Sequence, residues 1–311
     1  MRTPSILIVH PDRKTQRTVQ RILGVTGFPV DIADDLAQAE RLIAHNSPIL
    51  VVMDGSAVGS PSASAFFAAI AQRGTEACMT LLGAPAVELP AILAVGAVTN
   101  LLVHPMPVLA EELTITAQKL IRGDLFGAEK YLLWGTELHT TIVTRATQRT
   151  ELVGRISEQV RALGQSPRVA SMAMLVTDEL ISNAVHNAPV DDDGNHYRKD
   201  LARDIEIELD ARHQVQLRWG CDARYVAVEV TDGFGSLDRE TILRALAKND
   251  VRETGGGAGM GIALAYRSCD HLVFNLAPGK RTQIIALIDV RYPPSERMSA
   301  SSYNVFVERA P

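Results

Sequence analysis

Apolar and polar positions follow two different rhythms along this chain, and the change of rhythm divides it. Over residues 1–122, short apolar runs of strand length are each followed by a stretch with helical spacing. Residues 6–9, 30–32, 49–53, 79–82 and 101–103 read as strands. Residues 12–23, 36–44, 62–72, 90–95 and 108–121 read as helices; in the first, Val19, Ile22 and Leu23 fall on one side. The run 49–53 is apolar throughout, as a central parallel strand covered on both faces requires. Five βα units within residues 1–122 predict an α/β unit, a doubly wound parallel sheet with helices on both faces.

Residues 123–150 connect this region to the next. Gly123 breaks a helix, 125–134 has helical spacing, and 141–144 is β-branched like a strand. Residues 151–311 follow another order. Helices over 151–163 and 168–187 come first, then strands over 205–209, 214–219 and 226–230. A helix over 239–247, a glycine-rich loop and a helix over 262–267 follow. Strands over 272–276 and 282–290 and an edge strand over 303–307 complete the set. This order predicts an α+β sandwich, helices layered on a mostly antiparallel sheet. The polar segment 190–204, with Asp191, Asp192 and Asp193 in a row, reads as a solvated loop rather than a metal site. Arg198, Lys199 and Arg203 are interleaved with acids there and read the same way. Trp134 and Trp219 are expected in a core or at a domain interface.

Composition narrows the class. The chain is 46% hydrophobic and 22% charged, ordinary for a globular protein. Its net charge of -5 lacks the Lys and Arg excess that nucleic-acid phosphates demand. No apolar run approaches the roughly 20 residues of a membrane-spanning helix, and the run 6–9 is too short for a signal-peptide core. Cys78, Cys221 and Cys269 have neither metal-site nor redox spacing. The expectation is a cytoplasmic protein with reduced thiols, binding neither membrane nor nucleic acid.

Three elements of the second region carry candidate chemistry. Along the helix over 168–187, Glu179, Asn183 and Asn187 recur every four residues beside an apolar stripe of Ala173, Val176, Leu180 and Ala184. Such a polar margin either caps neighbouring strands and binds water, or serves a ligand. Gly255, Gly256, Gly257, Gly259 and Gly261, with Ala258 and Met260 between them, run straight into an apolar helix. Glycines at a helix start let backbone N–H groups approach an anion. The strand over 226–230 runs on through Thr231 to Asp232-Gly233-Phe234-Gly235. An Asp at a strand end can accept from an adenine amino group, or it can simply shape a turn.

In this order the three elements resemble the nucleotide-binding motifs of the GHKL superfamily, the gyrase, Hsp90, histidine-kinase and MutL ATPases. Glu179-Leu180-Ile181-Ser182-Asn183-Ala184 with Asn187-Ala188 looks like the N box, Asp232-Gly233-Phe234-Gly235 like the first glycine box, and residues 255–261 like the second. Gly279-Lys280-Arg281-Thr282 resembles the final box. The resemblance covers roughly residues 135–290. The short lid between Gly235 and Gly255 is most similar to that of the anti-sigma-factor serine kinases. It implies a Bergerat-type α/β sandwich that binds ATP and Mg²⁺, in which Asn183 ligates the metal and Glu179 is the general base. Asp232, supported by Thr282, would contact adenine; Asn187, Gly233, Gly235, Gly255, Gly256, Gly257, Gly259, Met260 and Gly261 would complete the nucleotide site. In one respect the chain departs from the family: Asp232 abuts Gly233, so the first box is one residue short. Phe234, between the glycines, either packs on the adenine or fills its pocket.

The first region resembles the receiver domain of response regulators. Asp54 ends the third strand, where that family carries its phosphoacceptor, and Val103-His104-Pro105 stands where it has a Lys-Pro pair. The acid pair after the first strand is replaced by His10-Pro11 with only Asp12 nearby; Gly83 replaces a hydroxyl residue and His104 the lysine. Aspartyl phosphorylation needs a metal to offset charge, so the resemblance implies a pseudo-receiver used for contact with a signalling protein. The combined expectation is a signalling kinase of the anti-sigma type. A two-domain scaffold with a vestigial pocket and an atypical histidine kinase using His139 are the alternatives. A homodimer is among the assemblies the resemblance implies.

Overall fold

A computed structural model describes residues 4–58, 60, 62–72, 77–82, 100–103, 109–203, 205–247, 260–291 and 301–308. The chain divides into two compact units, Met1–Leu125 with Asn304–Phe306, and Phe126–Tyr303 with Val307–Pro311.

In the first unit the elements run β1 (Pro4–Val9), α1 (Arg13–Leu23), β2 (Val30–Ala33), α2 (Leu36–His45) and β3 (Ser47–Asp54). A one-turn α3 (Gly55–Val58), α4 (Ala63–Gln72), β4 (Ala77–Leu82), β5 (Asn100–Val103) and α5 (Ala110–Arg122) follow. The strands lie in the order β2-β1-β3-β4-β5, every pair parallel. This is the doubly wound order 2-1-3-4-5. Asp12 and Asp35 start the first two helices as N-caps, accepting from Thr15 N and Gln38 N. Helix α1 packs with α5, and α2 with α4. On the first face Ile6, Ile8 and Leu50 meet Val19, Leu23 and Leu113 in one buried cluster. The helix expected at 90–95 lies outside the described residues.

The second unit opens on the segment expected to be a helix, 125–134. It forms only a single 3₁₀ turn, Ala128–Lys130. Two of its amides are taken by sheet side chains instead: Gly127 N–H donates to Gln283 Oε1 at 2.8 Å and Ala128 N–H to Glu229 Oε2 at 2.7 Å. Arg281 covers the Phe126 ring at 3.5 Å. The segment is thus a strap held by sheet side chains, which helical spacing cannot reveal. Trp134, expected in a core or at a domain interface, is 86% exposed, whereas Trp219 is buried.

Strand β6 (His139–Val143), α6 (Gln148–Ala162) and α7 (Pro167–Ser182) follow, then β7 (Val215–Cys221), β8 (Tyr225–Asp232) and α8 (Arg239–Ala247). Helix α9 (Met260–Arg267), β9 (His271–Ala277) and β10 (Arg281–Asp289) come next, then β11 (Ser302–Val307), of which Asn304–Phe306 belong to the first unit. Strands β9-β10-β8-β7-β6 form consecutive antiparallel pairs. Residues 205–209, expected as a strand, make only an isolated bridge between Arg145 and Glu208, flanked by Ala146 N–H to Ile207 O and Leu209 N–H to Thr144 O. Helices α6 and α9 pack on α7, which covers β8 and β10. The period of two sends Val230, Asp232, Thr282 and Ile284 to the α7 side, and Glu229 and Gln283 to the strap side.

Helix α7 positions the site, and its start is sharply defined. Pro167 occupies the first turn, and Ser166 Oγ accepts from Val169 N at 3.3 Å. Ser166→Ala should lower stability by about 1 kcal/mol in urea denaturation; no change would mean this cap contributes nothing. At its other end, the helix expected to continue to 187 gives way at Asn183 to a π turn, Asn183–Asn187. Ala188 N–H reaches back five residues to Asn183 O at 2.9 Å. Single π turns inside helices recur at functional sites.

Candidate functional site

The π turn, β8 and β10 enclose a cavity of about 380 Å³, within the range of small-ligand sites. Its apolar wall includes Leu180, Ala184, Val230, Ile262 and Ile284. Asn183, Asn187, Asp232 and Thr282 also line it, so four of the residues singled out from sequence converge.

Asp232 is 7% exposed. Its Oδ1 accepts from Phe234 N at 2.9 Å and from Gly235 N at 3.3 Å. Burial pushes its pKa up to about 6, against the opposing pull of those two amides and of Thr282, its partner across the β8–β10 ladder. A buried carboxylate on the wall of an apolar cavity suits a ligand that brings hydrogen-bond donors.

Phe234 takes neither role expected of it. Its ring lies 5.2 Å from that of His213, under the Arg212 guanidinium at 5.1 Å, and it does not line the cavity. Gly235 adopts φ 61, and a Cβ there would come within 2.3 Å of Ala277 O. A Cβ on Gly233 would sit 3.2 Å from Arg212 O. These glycines allow the turn to press on the β9–β10 hairpin and on the chain before β7. Ser236 Oγ then donates to Ala188 O at 2.7 Å, tying the turn to the end of the π turn.

Glu179 is held beside Gly261. A Cβ on Gly261 would lie 2.5 Å from Glu179 Oε2 and 3.2 Å from both side-chain heteroatoms of Asn183. Glu179 Oε2 is buried without a hydrogen bond among the described residues, as is Asn183 Nδ2. Burial raises the Glu179 pKa, opposed chiefly by Arg203, whose Nη1 lies 3.8 Å from Oε2. Asn187 Nδ2 donates to Asn183 Oδ1 at 2.8 Å and fixes that amide. Met260 begins α9, whereas Gly255, Gly256, Gly257 and Gly259 lie outside the described residues.

His196, Lys199, Ser236, Asp238, Thr241 and Arg244 also line the cavity, and sequence reasoning missed them. Thr241, Arg244 and Ala245 had a signal: their spacing puts them on one face of α8. His196, Lys199 and Arg203 had none. Residues 190–203 are the mostly exposed loop expected, and they also deliver two cavity residues and the Glu179 ion pair. His139 sits on β6, its ring stacked on Trp219 at 4.7 Å.

In the first unit, Asp12 is spent as a helix cap: its Oδ2 accepts from Thr15 N and Oγ1, which lowers its pKa. Asp12 N–H donates to His10 Nδ1 at 3.0 Å, so a neutral His10 ring carries its proton on Nε2, which faces Asp54 Oδ1 at 3.4 Å. A histidine thus stands beside Asp54. Gly83, His104 and Pro105 lie outside the described residues. Among the described residues no group of three or more His, Cys, Asp or Glu side chains is placed to share a metal ion, and no helix is long and apolar enough to cross a membrane.

Fold and site together define a chain with a receiver-like parallel α/β unit and an antiparallel α+β unit that holds a ligand-sized cavity. No family model matches the chain, and no curated protein does. The N-terminal two-fifths is similar to solved receiver domains of response regulators. One is the signal receiver domain of an HD domain-containing protein from Pseudomonas fluorescens Pf-5 (21% identity, 39% of this chain and 97% of that one, TM-score 0.34). Another is a response regulator from Thermotoga maritima (20% identity, 39% and 98%, TM-score 0.33). A third is the receiver domain of a Francisella response regulator (18% identity, 39% and 98%, TM-score 0.31).

Proposed function

We propose that the second unit is a GHKL-type module of Bergerat architecture that binds ATP with Mg²⁺ in the cavity of about 380 Å³. The observation that carries this reading is the buried Asp232 carboxylate on an apolar wall shared with Asn183 and Asn187. A flat heteroaromatic ring with an exocyclic amine matches that wall: apolar faces for the ring, a carboxylate for the amine. Asn183 brings an amide oxygen of the kind magnesium takes, and beside it Glu179 Oε2 is buried without a hydrogen bond among the described residues. When bound, Mg²⁺ would offset the charge of the phosphates.

Phosphoryl transfer to a Ser or Thr of a partner protein is the reaction this arrangement favours. Glu179, its pKa raised by burial, would orient the attacking hydroxyl and take its proton. The receiver-like unit serves contact with a signalling protein in the cytoplasm; with Asp12 used as a cap and His10 beside Asp54, it lacks an acid pair after β1.

Titration calorimetry of the full chain with a non-hydrolysable ATP analogue is the test. Micromolar binding should depend on Mg²⁺ and weaken at least about tenfold in Asn183→Ala, the loss of one charge-linked contact. Absence of binding by the folded protein at millimolar analogue would leave a two-domain scaffold.

A further inference from the structure

The cavity has a second chemical character that the N box and the glycine boxes do not supply. His196 and Lys199 line it from residues 189–203, and Arg244 lines it from α8. The same segment brings Arg203 to Glu179. It also brings Arg198, whose Nη1 is buried and makes no hydrogen bond among the described residues. Burial first, then the charges of Arg149, Arg203 and Arg198, hold the buried His186 toward its neutral form. Arg203 is paired with Glu179, Arg149 with Asp178 and Arg244 with Glu240, which leaves Lys199 as the cavity-lining cation without an ion pair among the described residues.

The segment is built to be held. Val190 and His196 form a bridge, and Asp191 closes the turn between them by accepting from Asp193 N at 3.0 Å and Asn195 N at 2.8 Å. One acid of the Asp run therefore shapes the loop that presents His196. The next residue is latched: Tyr197 Oη lies 2.5 Å from His213 Nε2, and His213 Nδ1 lies 2.6 Å from Asp210 Oδ1. Asp210 is held below its usual pKa by that bond, an ionised anchor for the ring. The His213 ring rests on Phe234. Phe234 follows Asp232 by two residues, so the shortened first glycine box supplies the platform under the latch.

We infer that residues 189–203 form a latched flap which, with Arg244, binds the polyphosphate chain of the nucleotide through Lys199 and His196. The inference rests on the adenine-nucleotide reading for the identity of the ligand. The flap adds selectivity for a long polyphosphate, whereas Asp232 and the apolar wall serve any adenine derivative. Arg203, paired with Glu179, links occupancy of the flap to the carboxylate.

Binding of AMP, ATP and inorganic tripolyphosphate to the full chain, each with Mg²⁺, tests it by calorimetry. Wild type should prefer ATP to AMP by at least about tenfold, and the double variant His196→Ala/Lys199→Ala should lose that preference while AMP binding changes less than about twofold. Tyr197→Phe, which keeps the ring but frees the latch, should lower ATP affinity and spare AMP. Both substituted side chains of the double variant are on an exposed loop, and a thermal melt confirms its fold. Wild-type binding without preference for ATP, or a double variant that keeps the preference, overturns the flap and leaves the adenine reading intact. Tripolyphosphate binding that is lost in the double variant, with no AMP or ATP bound, keeps the flap as an anion site and ends the adenine reading. Binding of none of the three ends both.

Discussion

Asp232→Asn is expected to yield a protein that is more stable at neutral pH and has lost most of its affinity for adenine nucleotides. The backbone amides of Phe234 and Gly235 meet the same oxygen of Asp232, Oδ1, which an asparagine also provides. The substitution therefore keeps the turn and removes only a buried charge. The native carboxyl has its pKa raised from 3.8 to about 6. Between those two values the folded state holds a proton that the unfolded state has released, so stability falls as pH rises across this window. Above about 6 the loss is complete, about 3 kcal/mol for the roughly two-unit shift, and asparagine does not incur it. Urea denaturation at pH 7.5 should show the variant ahead by that order, with a smaller gap at pH 5. A variant less stable than wild type at pH 7.5 would contradict the buried-charge account. Nucleotide affinity has its own pH dependence: the ligand's amine needs the ionised carboxylate, so wild-type affinity should weaken as pH falls through about 6. In the variant it should drop about tenfold to a hundredfold and lose this pH dependence.

Gly235→Ala should be the most damaging single methyl group among the described glycines of the second unit. The position has φ 61, costly for an L side chain, and the new Cβ would meet backbone atoms on three sides: Ala277 O at 2.3 Å, Lys280 N at 2.7 Å and Arg281 N at 2.8 Å. None of these is a movable side-chain end. Gly279 N–H also donates to Gly235 O at 3.1 Å, so the hairpin turn and the glycine turn are locked together. Strain and overpacking together should cost about 3–5 kcal/mol, enough to unfold a marginal domain or shift its melting point by many degrees. Gly279→Ala is the control: it also has positive φ, 69, but nothing lies within 4 Å of its Cβ. It should cost only about 1–2 kcal/mol. Equal melting points for the two variants would remove the close-approach argument and leave backbone conformation as the whole effect.

Much of the architecture was legible because local periodicity reports burial directly. The all-apolar run at 49–53 became the core of β3, and the spacing of Val19, Ile22 and Leu23 became the buried face of α1. The four-residue recurrence of Glu179, Asn183 and Asn187 placed these residues along one helix margin, and the latter two reached the cavity. Where local pattern misled, long-range partners had taken over the backbone. Residues 125–134 have helical spacing, yet Glu229 and Gln283 claim their amides from more than a hundred residues away. Residues 205–209 alternate like a strand, yet only one bridge forms.

The chain by itself determined its two rhythms of secondary structure, the parallel and antiparallel halves that follow from them, and the spacing of the polar residues Asn183, Asn187, Asp232 and Thr282 that line the cavity. Each of these is written in spacing along the sequence, where neighbours three, four or two residues apart share a face. Only the tertiary structure decided that Phe234 turns from the cavity toward His213, that Asp12 caps a helix, and that a charged loop closes on Glu179 and the π turn. Those outcomes depend on which distant groups satisfy a buried ring, a carboxylate or a guanidinium. Spacing along the chain carries no record of partners brought together by folding.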